Sequence, residues 1–162
     1  MNQANIKIKR LDPRARLPKQ ARQFDAGFDV SGLTYKLLGQ DLSGFVEEGD
    51  EVTIPPLGRL KIDLGFAVEI PVGFEIQVRP RSGLALKQGL TVLNSPGTID
   101  AAYRGEVGVI LVNLSGVPQK INITDRVAQL VVAAVPVVEL EEVDELSDTE
   151  RGTGGFGSTG TK

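Results

Sequence analysis

Apolar and polar residues alternate one by one through much of this chain, and that spacing restricts its fold more than any other feature. Residues 6–9 (IKIK), 59–64 (RLKIDL), 75–79 (EIQVR) and 121–123 (INI) each place apolar side chains on one face of an extended strand. Turn formers separate these runs: Asp12 and Pro13, Gly49 and Asp50, Pro55 and Pro56, Pro71 and Gly73, Pro96 and Gly97, Ser115 and Gly116. Short strands at such intervals predict an all-β sandwich or barrel. One short helix is expected around residues 82–87, closed by Gly89. Two runs, 107–114 and 130–138, are apolar on both faces. Each fits either a central core strand or a strand also buried against another subunit.

A chain of 162 residues, 41% of them apolar, is the size of one ordinary domain with a real core. It contains no cysteine and no histidine, which excludes disulfides, thiolate nucleophiles, Cys/His zinc sites and Ser-His-Asp triads. Acid–base chemistry is left to carboxylates, lysine or tyrosine, and any metal must be a hard, oxygen-ligated cation such as magnesium. A net charge of −3 gives no electrostatic reason to expect non-specific nucleic-acid binding. The longest mostly apolar run, 127–138, is interrupted by Gln129 and Pro136 and is too short to span a bilayer. With no apolar signal-peptide core at the N-terminus, the expectation is a soluble intracellular, cytoplasmic protein.

Charge is unevenly distributed. Seven Lys or Arg residues fall within the first 22 against a single acid, Asp12, whereas residues 139–150 carry seven acids in twelve. The bland account is two solvated stretches. The sharper one makes 139–150 an acidic linker that carries the tail, residues 151–162, away from a β domain spanning 1–138.

That tail, RGTGGFGSTG at 151–160, is half glycine. It matches G-x-G-x-x-G, but no helix follows within a βαβ unit, and Gly157 is followed by Ser158 rather than a phosphate-binding lysine. The chemistry of such loops still applies. Glycines let backbone N–H groups approach phosphate oxygens, Arg151 grips a phosphate bidentately, Ser158 and Thr159 add hydroxyls, and Phe156 offers a flat face for a base. Ordering ten residues costs on the order of 10 kcal/mol, so only a highly charged ligand with many contacts offsets it.

Other segments share this chemistry. PRSGLALKQG at 80–89 puts Arg81, Ser82 and free N–H groups at the start of the short helix, a good anion site. NSPGTIDAAYRGE at 94–106 reads as a tight hairpin with one carboxylate, Asp100, and one aromatic, Tyr103. DAGFD at 25–29 adds Asp25 and Asp29 beside a glycine.

In order, DAGFDV (25–30), PRSGLA (80–85), GTIDAAYRGE (97–106), DRVAQL (125–130) and RGTGGFGST (151–159) resemble the five signature motifs of the trimeric dUTP pyrophosphatases, or dUTPases. Together they cover residues 25–160. The resemblance implies a β jelly-roll protomer in a homotrimer, with each active site assembled from three chains. It implies Mg2+-dependent hydrolysis of dUTP to dUMP and pyrophosphate, which keeps uracil out of DNA and supplies dUMP for thymidylate synthesis. By position, Asp100 would be the general base for the water attacking the α-phosphorus, and Tyr103 would lie under the deoxyribose. Asn94, Gly97, Thr98 and Ile99 would read uracil. Arg81, Ser82, Gly83 and Gln129 would hold the phosphates, with Asp29 orienting magnesium through water. Arg151, Gly157 and Ser158 would close over the terminal phosphates, and Phe156 would stack on the uracil. Arg126 ranks below Gln129 as a ligand, the alternative being a buried structural ion pair.

The related dCTP deaminases carry a catalytic glutamate where this chain has Ile110, and paired serines where it has Ser82 and Gly83, so deamination is not expected. A non-catalytic nucleotide-binding sandwich is disfavoured by the presence of Asp100. Phe28, Val30 and Gln88 are mild departures from the family's usual residues. Residues 31–50 look longer than the family's usual connection and are expected to form an extra surface loop or hairpin.

Overall fold

A computed structural model describes residues 4–38, 42–45 and 51–155, with 42–45 as backbone alone. The expected turn at Gly49 and Asp50, and the site residues Phe156, Gly157 and Ser158, lie outside the described residues. The strands are β1 Lys7–Arg10, β2 Gly27–Ser31, β3 Thr34–Leu38, β4 Leu42–Phe45, β5 Glu51–Ile54, β6 Arg59–Glu69, β7 Phe74–Arg79, β8 Leu90–Val92, β9 Gly97–Ile99, β10 Glu106–Asn113, β11 Gln119–Asn122 and β12 Arg126–Ala134, with one helix, α1 Ser82–Gln88. The fold is all-β with one helix, as the alternation predicts. Among the described residues no helix is long and apolar enough to cross a membrane.

The strands form three antiparallel sheets. One runs β4-β3-β6-β10-β8 with β1 also paired to β6, a second runs β2-β12-β7-β9, and a third joins β11 to β5. Their inward faces share one core that includes Leu37, Ile54, Leu60, Phe66, Leu111 and Ile123. Each such side chain contributes about 1.5–3 kcal/mol relative to exposure. Strand β6 is the central member. It alternates from Arg59 to Leu64, then becomes buried on both faces from Leu64 to Val68. The change comes at Gly65, whose φ of 74° is left-handed and where a Cβ would lie 2.4 Å from Leu33 Cδ2 and 2.8 Å from Ala15 Cβ. Only glycine fits there.

Helix α1 ends at Gly89 (φ 65°), whose N–H donates to the Ala85 carbonyl, so the expected C-cap is present. Its N-cap is Arg81, which makes no side-chain capping bond. At the far end of β10, Asn113 is completely buried and fully partnered. Its Nδ2 donates to the Ile54 carbonyl at 2.9 Å and the Val117 carbonyl at 2.8 Å, while its Oδ1 accepts from the Ser115 N–H and Oγ.

Several local expectations change. The segment 94–106 is not a hairpin, because β9 pairs with β7 in one sheet while β10 pairs with β6 and β8 in another. It is a crossover that leaves the first sheet after β8, enters the second at β9 and returns at β10. Alternation marks a strand but not the sheet it joins. The apolar run 130–138 also divides. β12 stops at Ala134, where its partner β7 begins at Phe74 and Pro136 cannot donate to a ladder. Val135, Val137 and Val138 are exposed. In the run 107–114, Val107, Val109, Leu111 and Val112 are buried, whereas Ile110 is half-buried and Leu114 exposed. Strand β1 forms as expected, yet all four of its residues are exposed, because it is an edge strand paired only to β6. Within residues 31–50, β3 is an integral strand paired to β6, with Leu37 in the core, and β4 pairs to its outer edge.

Candidate active site

The crossover builds the first of two hollows. It encloses about 170 Å³ and is lined by Asn94, Gly97, Thr98, Ile99, Asp100 and Tyr103, together with residues at the start of β10. Each has a reason to be there. Gly97 is buried against Val78, and a Cβ would come within 3.3 Å of the Val78 Cβ and 3.1 Å of Asn94 Nδ2, so glycine keeps this wall thin. After β9 the chain turns, with the Tyr103 N–H donating to the Asp100 carbonyl at 3.0 Å. The hydroxyl end of Tyr103 lies against Gly105, where a Cβ would sit 2.4 Å from the phenolic oxygen, and the hydroxyl donates to the Glu106 carbonyl at 2.8 Å. Glu106 is itself anchored, its Oε1 accepting the Gly65 N–H at 2.7 Å. Arg104 donates to the Ala101 and Tyr103 carbonyls and closes the turn. Within this frame the Asp100 carboxylate is exposed and accepts no hydrogen bond among the described residues. The capping role open to a turn aspartate is taken by its backbone carbonyl instead.

The second hollow lies on the other flank of β7, beside β2 and β12. It encloses about 350 Å³, and Asp25, Gly27, Asp29, Arg81, Arg126 and Gln129 line it, with Ser82 and Gly83 at the first turn of α1. Antiparallel register puts Asp29, Gln129 and Arg79 opposite one another on adjacent strands. Asp29 gathers two guanidiniums: Arg81 Nε donates to Oδ1 at 3.0 Å, and an Arg126 terminal nitrogen donates to Oδ2 at 3.1 Å. Arg81 also reaches the Arg126 carbonyl at 3.2 Å. The Gln129 amide donates to the Pro80 carbonyl at 3.0 Å, and its oxygen lies where a Cβ on Gly27 would be, 2.2 Å away. Arg126 is therefore an ion-pair partner of Asp29, though an exposed one.

Arg151 lines neither hollow. Its Nε donates to the Gly154 carbonyl at 2.8 Å within a turn that also holds the Gly152 N–H on Thr149. The chain therefore keeps its predicted site residues in three places: Asn94, Gly97, Thr98, Ile99, Asp100 and Tyr103 in one hollow, Asp29, Arg81, Ser82, Gly83 and Gln129 in the other, and Arg151 apart on the tail. Gly27, Gly105 and Glu106 shape these walls without having been picked out as site residues. Their sequence signal is slight, a glycine at a strand start and a Gly-Glu pair at a strand entry.

Two acids outside both hollows are held below the usual carboxylate range. Asp12 is lowered to about 2 by hydrogen bonds from the Arg14 side chain and backbone, and Glu69 is lowered by the Lys7 ammonium.

Comparison with known proteins identifies the family. The dUTPase family model matches residues 45–160. The deoxyuridine 5'-triphosphate nucleotidohydrolase of Picosynechococcus sp. is 46% identical over 157 residues, covering 97% of this chain and 99% of the relative. That of Beijerinckia indica is 57% identical over 122 residues, covering 75% of this chain and 76% of the relative. Among solved structures, the dUTPase of Staphylococcus bacteriophage 80alpha with dUPNHPP superimposes with a TM-score of 0.77 at 27% identity, covering 96% of this chain and 98% of that one. The first motif, at 25–30, precedes the residues matched by the family model but lies within the full-length alignments. The chain therefore belongs to the dUTPase family.

Proposed function

We propose that this protein hydrolyses dUTP to dUMP and pyrophosphate, keeping uracil out of DNA and supplying dUMP for thymidylate synthesis. The observation that carries the reading is the division of the motif residues into two complementary hollows. One is small, walled by backbone and aromatic surface, and contains a free carboxylate. The other is lined by two guanidiniums, an amide and a helix start, and its two carboxylates are engaged, Asp25 by the Arg22 N–H and Asp29 by the guanidiniums. A nucleotide triphosphate has the same two halves.

In this reading Asn94 and the backbone of Gly97, Thr98 and Ile99 hold the base. Tyr103, its hydroxyl end against Gly105, supports the sugar and leaves no room for a 2′-hydroxyl. Asp100 accepts the proton of a water as its oxygen bonds to the α-phosphorus, and the α–β bridging oxygen leaves with pyrophosphate. Arg81, Ser82, Gly83 and Gln129 hold phosphate oxygens, and Arg151, Gly157 and Ser158 close over them while Phe156 stacks on the base.

Among the described residues no cluster of three or more acids forms a ready-made metal cage, and both oxygens of Asp29 are taken by guanidiniums. That donor set suits Mg2+ held chiefly by substrate phosphates and waters, with Asp29 reached through water. Bound there, Mg2+ supplies charge neutralisation on the phosphates.

The two hollows and the tail lie apart in one chain, which favours a homotrimeric jelly roll whose sites are completed by neighbours. Residues 1–138 would form the β domain, with β3 of the 31–50 segment part of its main sheet, 139–150 the acidic arm and 151–162 the lid. Val137, Leu140 and Leu146 are 97%, 92% and 87% exposed, apolar surface that a neighbouring chain would cover. Such an enzyme works in the cytoplasm, where deoxynucleotides are made.

The test is pyrophosphate release with Mg2+ and dUTP, dTTP, dCTP or UTP in turn. Rapid release from dUTP, with little from dTTP, dCTP or UTP, is expected. Equal rates on all four, or none on dUTP, would overturn the reading.

A further inference from the structure

We propose that the groove between residues 10–21 and the start of β12 is a second anion subsite, which takes inorganic pyrophosphate beside the triphosphate hollow. This rests on the reading of that neighbouring hollow as a triphosphate pocket.

The groove has a volume of about 670 Å³, and Arg10, Arg16, Lys19, Asp29, Ser31 and Arg126 line it. Four cations thus face one carboxylate, in a chain whose net charge is −3. That carboxylate is already engaged by Arg81 and Arg126. Arg10, Arg16 and Lys19 form no ion pair among the described residues.

Backbone carbonyls, rather than acids, hold the two guanidiniums in place. Arg10 donates to the Ala15 carbonyl, and Arg16 donates to the Thr124 carbonyl at 2.7 Å. A guanidinium has five N–H donors, so each keeps most of its donors for a ligand. Lys19 sits in a two-way backbone bridge with Asp29, its N–H donating at 3.2 Å and its carbonyl accepting at 2.8 Å, which fixes where its side chain leaves the chain. Cations pre-positioned in this way and lacking internal acids are suited to a compact, highly charged oxyanion.

The groove and the triphosphate hollow share Ala21, Asp29 and Arg126 as lining residues. An anion leaving the hollow on this side meets the groove next. Pyrophosphate is the anion that the proposed hydrolysis releases there, and the groove gives it a place to go without recrossing the nucleoside hollow.

The test is calorimetric titration of the full-length protein with pyrophosphate, using wild type, the double variant Arg16→Gln/Lys19→Ala, and Arg81→Gln. Thermal melts establish that each is folded, and initial dUTP turnover is measured in parallel. The double variant is expected to bind pyrophosphate at least tenfold more weakly while initial turnover stays within about twofold of wild type. Arg81→Gln is expected to retain pyrophosphate binding within about threefold. Wild-type affinity in the double variant, or complete loss of binding in Arg81→Gln, would place pyrophosphate in the triphosphate hollow alone and overturn the subsite. If the double variant fails to fold, Lys19→Gln replaces it, with about threefold weakening expected and unchanged affinity overturning the proposal. Pyrophosphate affinity that depends on Lys19 in a protein that does not hydrolyse dUTP would support the subsite and locate the failure in the reaction.

Discussion

The two hollows hold their charged groups in opposite ways. In the crossover hollow the Asp100 carboxylate is unpartnered among the described residues, while everything around it is pinned: Tyr103 to the Glu106 carbonyl, Glu106 to the Gly65 N–H, and Arg104 to two carbonyls. In the guanidinium hollow the charges themselves are tied, Arg81 and Arg126 both held on Asp29. A group that must take a proton from water needs open lone pairs and a rigid frame. Groups that must receive a polyanion need fixed orientation, because two long side chains otherwise lose rotamer freedom on binding. Leaving the acid free and binding the bases is the arrangement that the proposed reaction would require of each.

The strongest way to break this contrast is at Asp100. Asp100→Asn keeps the shape of the crossover hollow and removes the proposed proton acceptor. We expect kcat to fall by about 10²–10⁴ with affinity for a non-hydrolysable dUTP analogue retained, measured by pyrophosphate release and by titration. Retained turnover would show that the free carboxylate is not the base.

Asp29→Ala releases both guanidiniums. If the tie serves orientation, KM for dUTP rises by about tenfold, the value of one charge-assisted hydrogen bond, and kcat changes less. A fall in KM would mean that Asp29 chiefly repels the phosphates, and the contrast between the hollows would not hold.

Gly27→Ala tests a finer element of the same wall. A Cβ there meets Gln129 Oε1 at 2.2 Å and displaces the amide from the Pro80 carbonyl. Loss of one neutral hydrogen bond of about 1 kcal/mol predicts a rise in KM of roughly fivefold, with unchanged sugar discrimination. A change in discrimination between dUTP and UTP would mean that the hollows are not independent.

The smallest effect is expected at Asp12, which touches neither hollow. Its folded-state pKa of about 2 lies below the ordinary value of 3.8. The bond to Arg14 therefore contributes stability above about pH 4, and that contribution is lost as pH falls through about 2. Asp12→Asn should lower the melting temperature slightly at pH 7, not at pH 2, and leave KM and kcat unaltered. A shift in either constant would tie the N-terminal turn to the site.

The parts of the molecule that depend on neighbours in sequence were legible from the residues alone. Alternation marked β6 and β7, and Gly89 marked the end of α1, because strand pleat and a left-handed cap are local properties. The motif segments contain Asp100, Tyr103, Arg81 and Gln129, which the fold places along the two hollows. Sheet membership was not legible. Nothing local to residues 94–106 distinguishes a hairpin from a crossover, since that depends on whether β9 finds β7 or β10 first. Nor do Gly27 and Gly105 declare their purpose, which lies in side chains of Gln129 and Tyr103 brought over them by the fold. The exposed end of the run 130–138 follows from where β7 begins, 60 residues away along the chain by register between Phe74 and Ala134.

The buried Asn113 has a consequence in genetics. Its amide serves the carbonyls of Ile54 and Val117, the segments on which β5 ends and the β10–β11 turn closes. Replacing it with alanine would take the side-chain partner from the buried Ile54 carbonyl and the half-buried Ser115 N–H, while the Val117 carbonyl keeps the Ser115 hydroxyl, at a cost of about 1–3 kcal/mol for each group that water does not reach. No residue of either hollow would be altered. An allele of this kind behaves as a temperature-sensitive one, with normal turnover per folded molecule at low temperature and loss of the protein itself as the temperature rises.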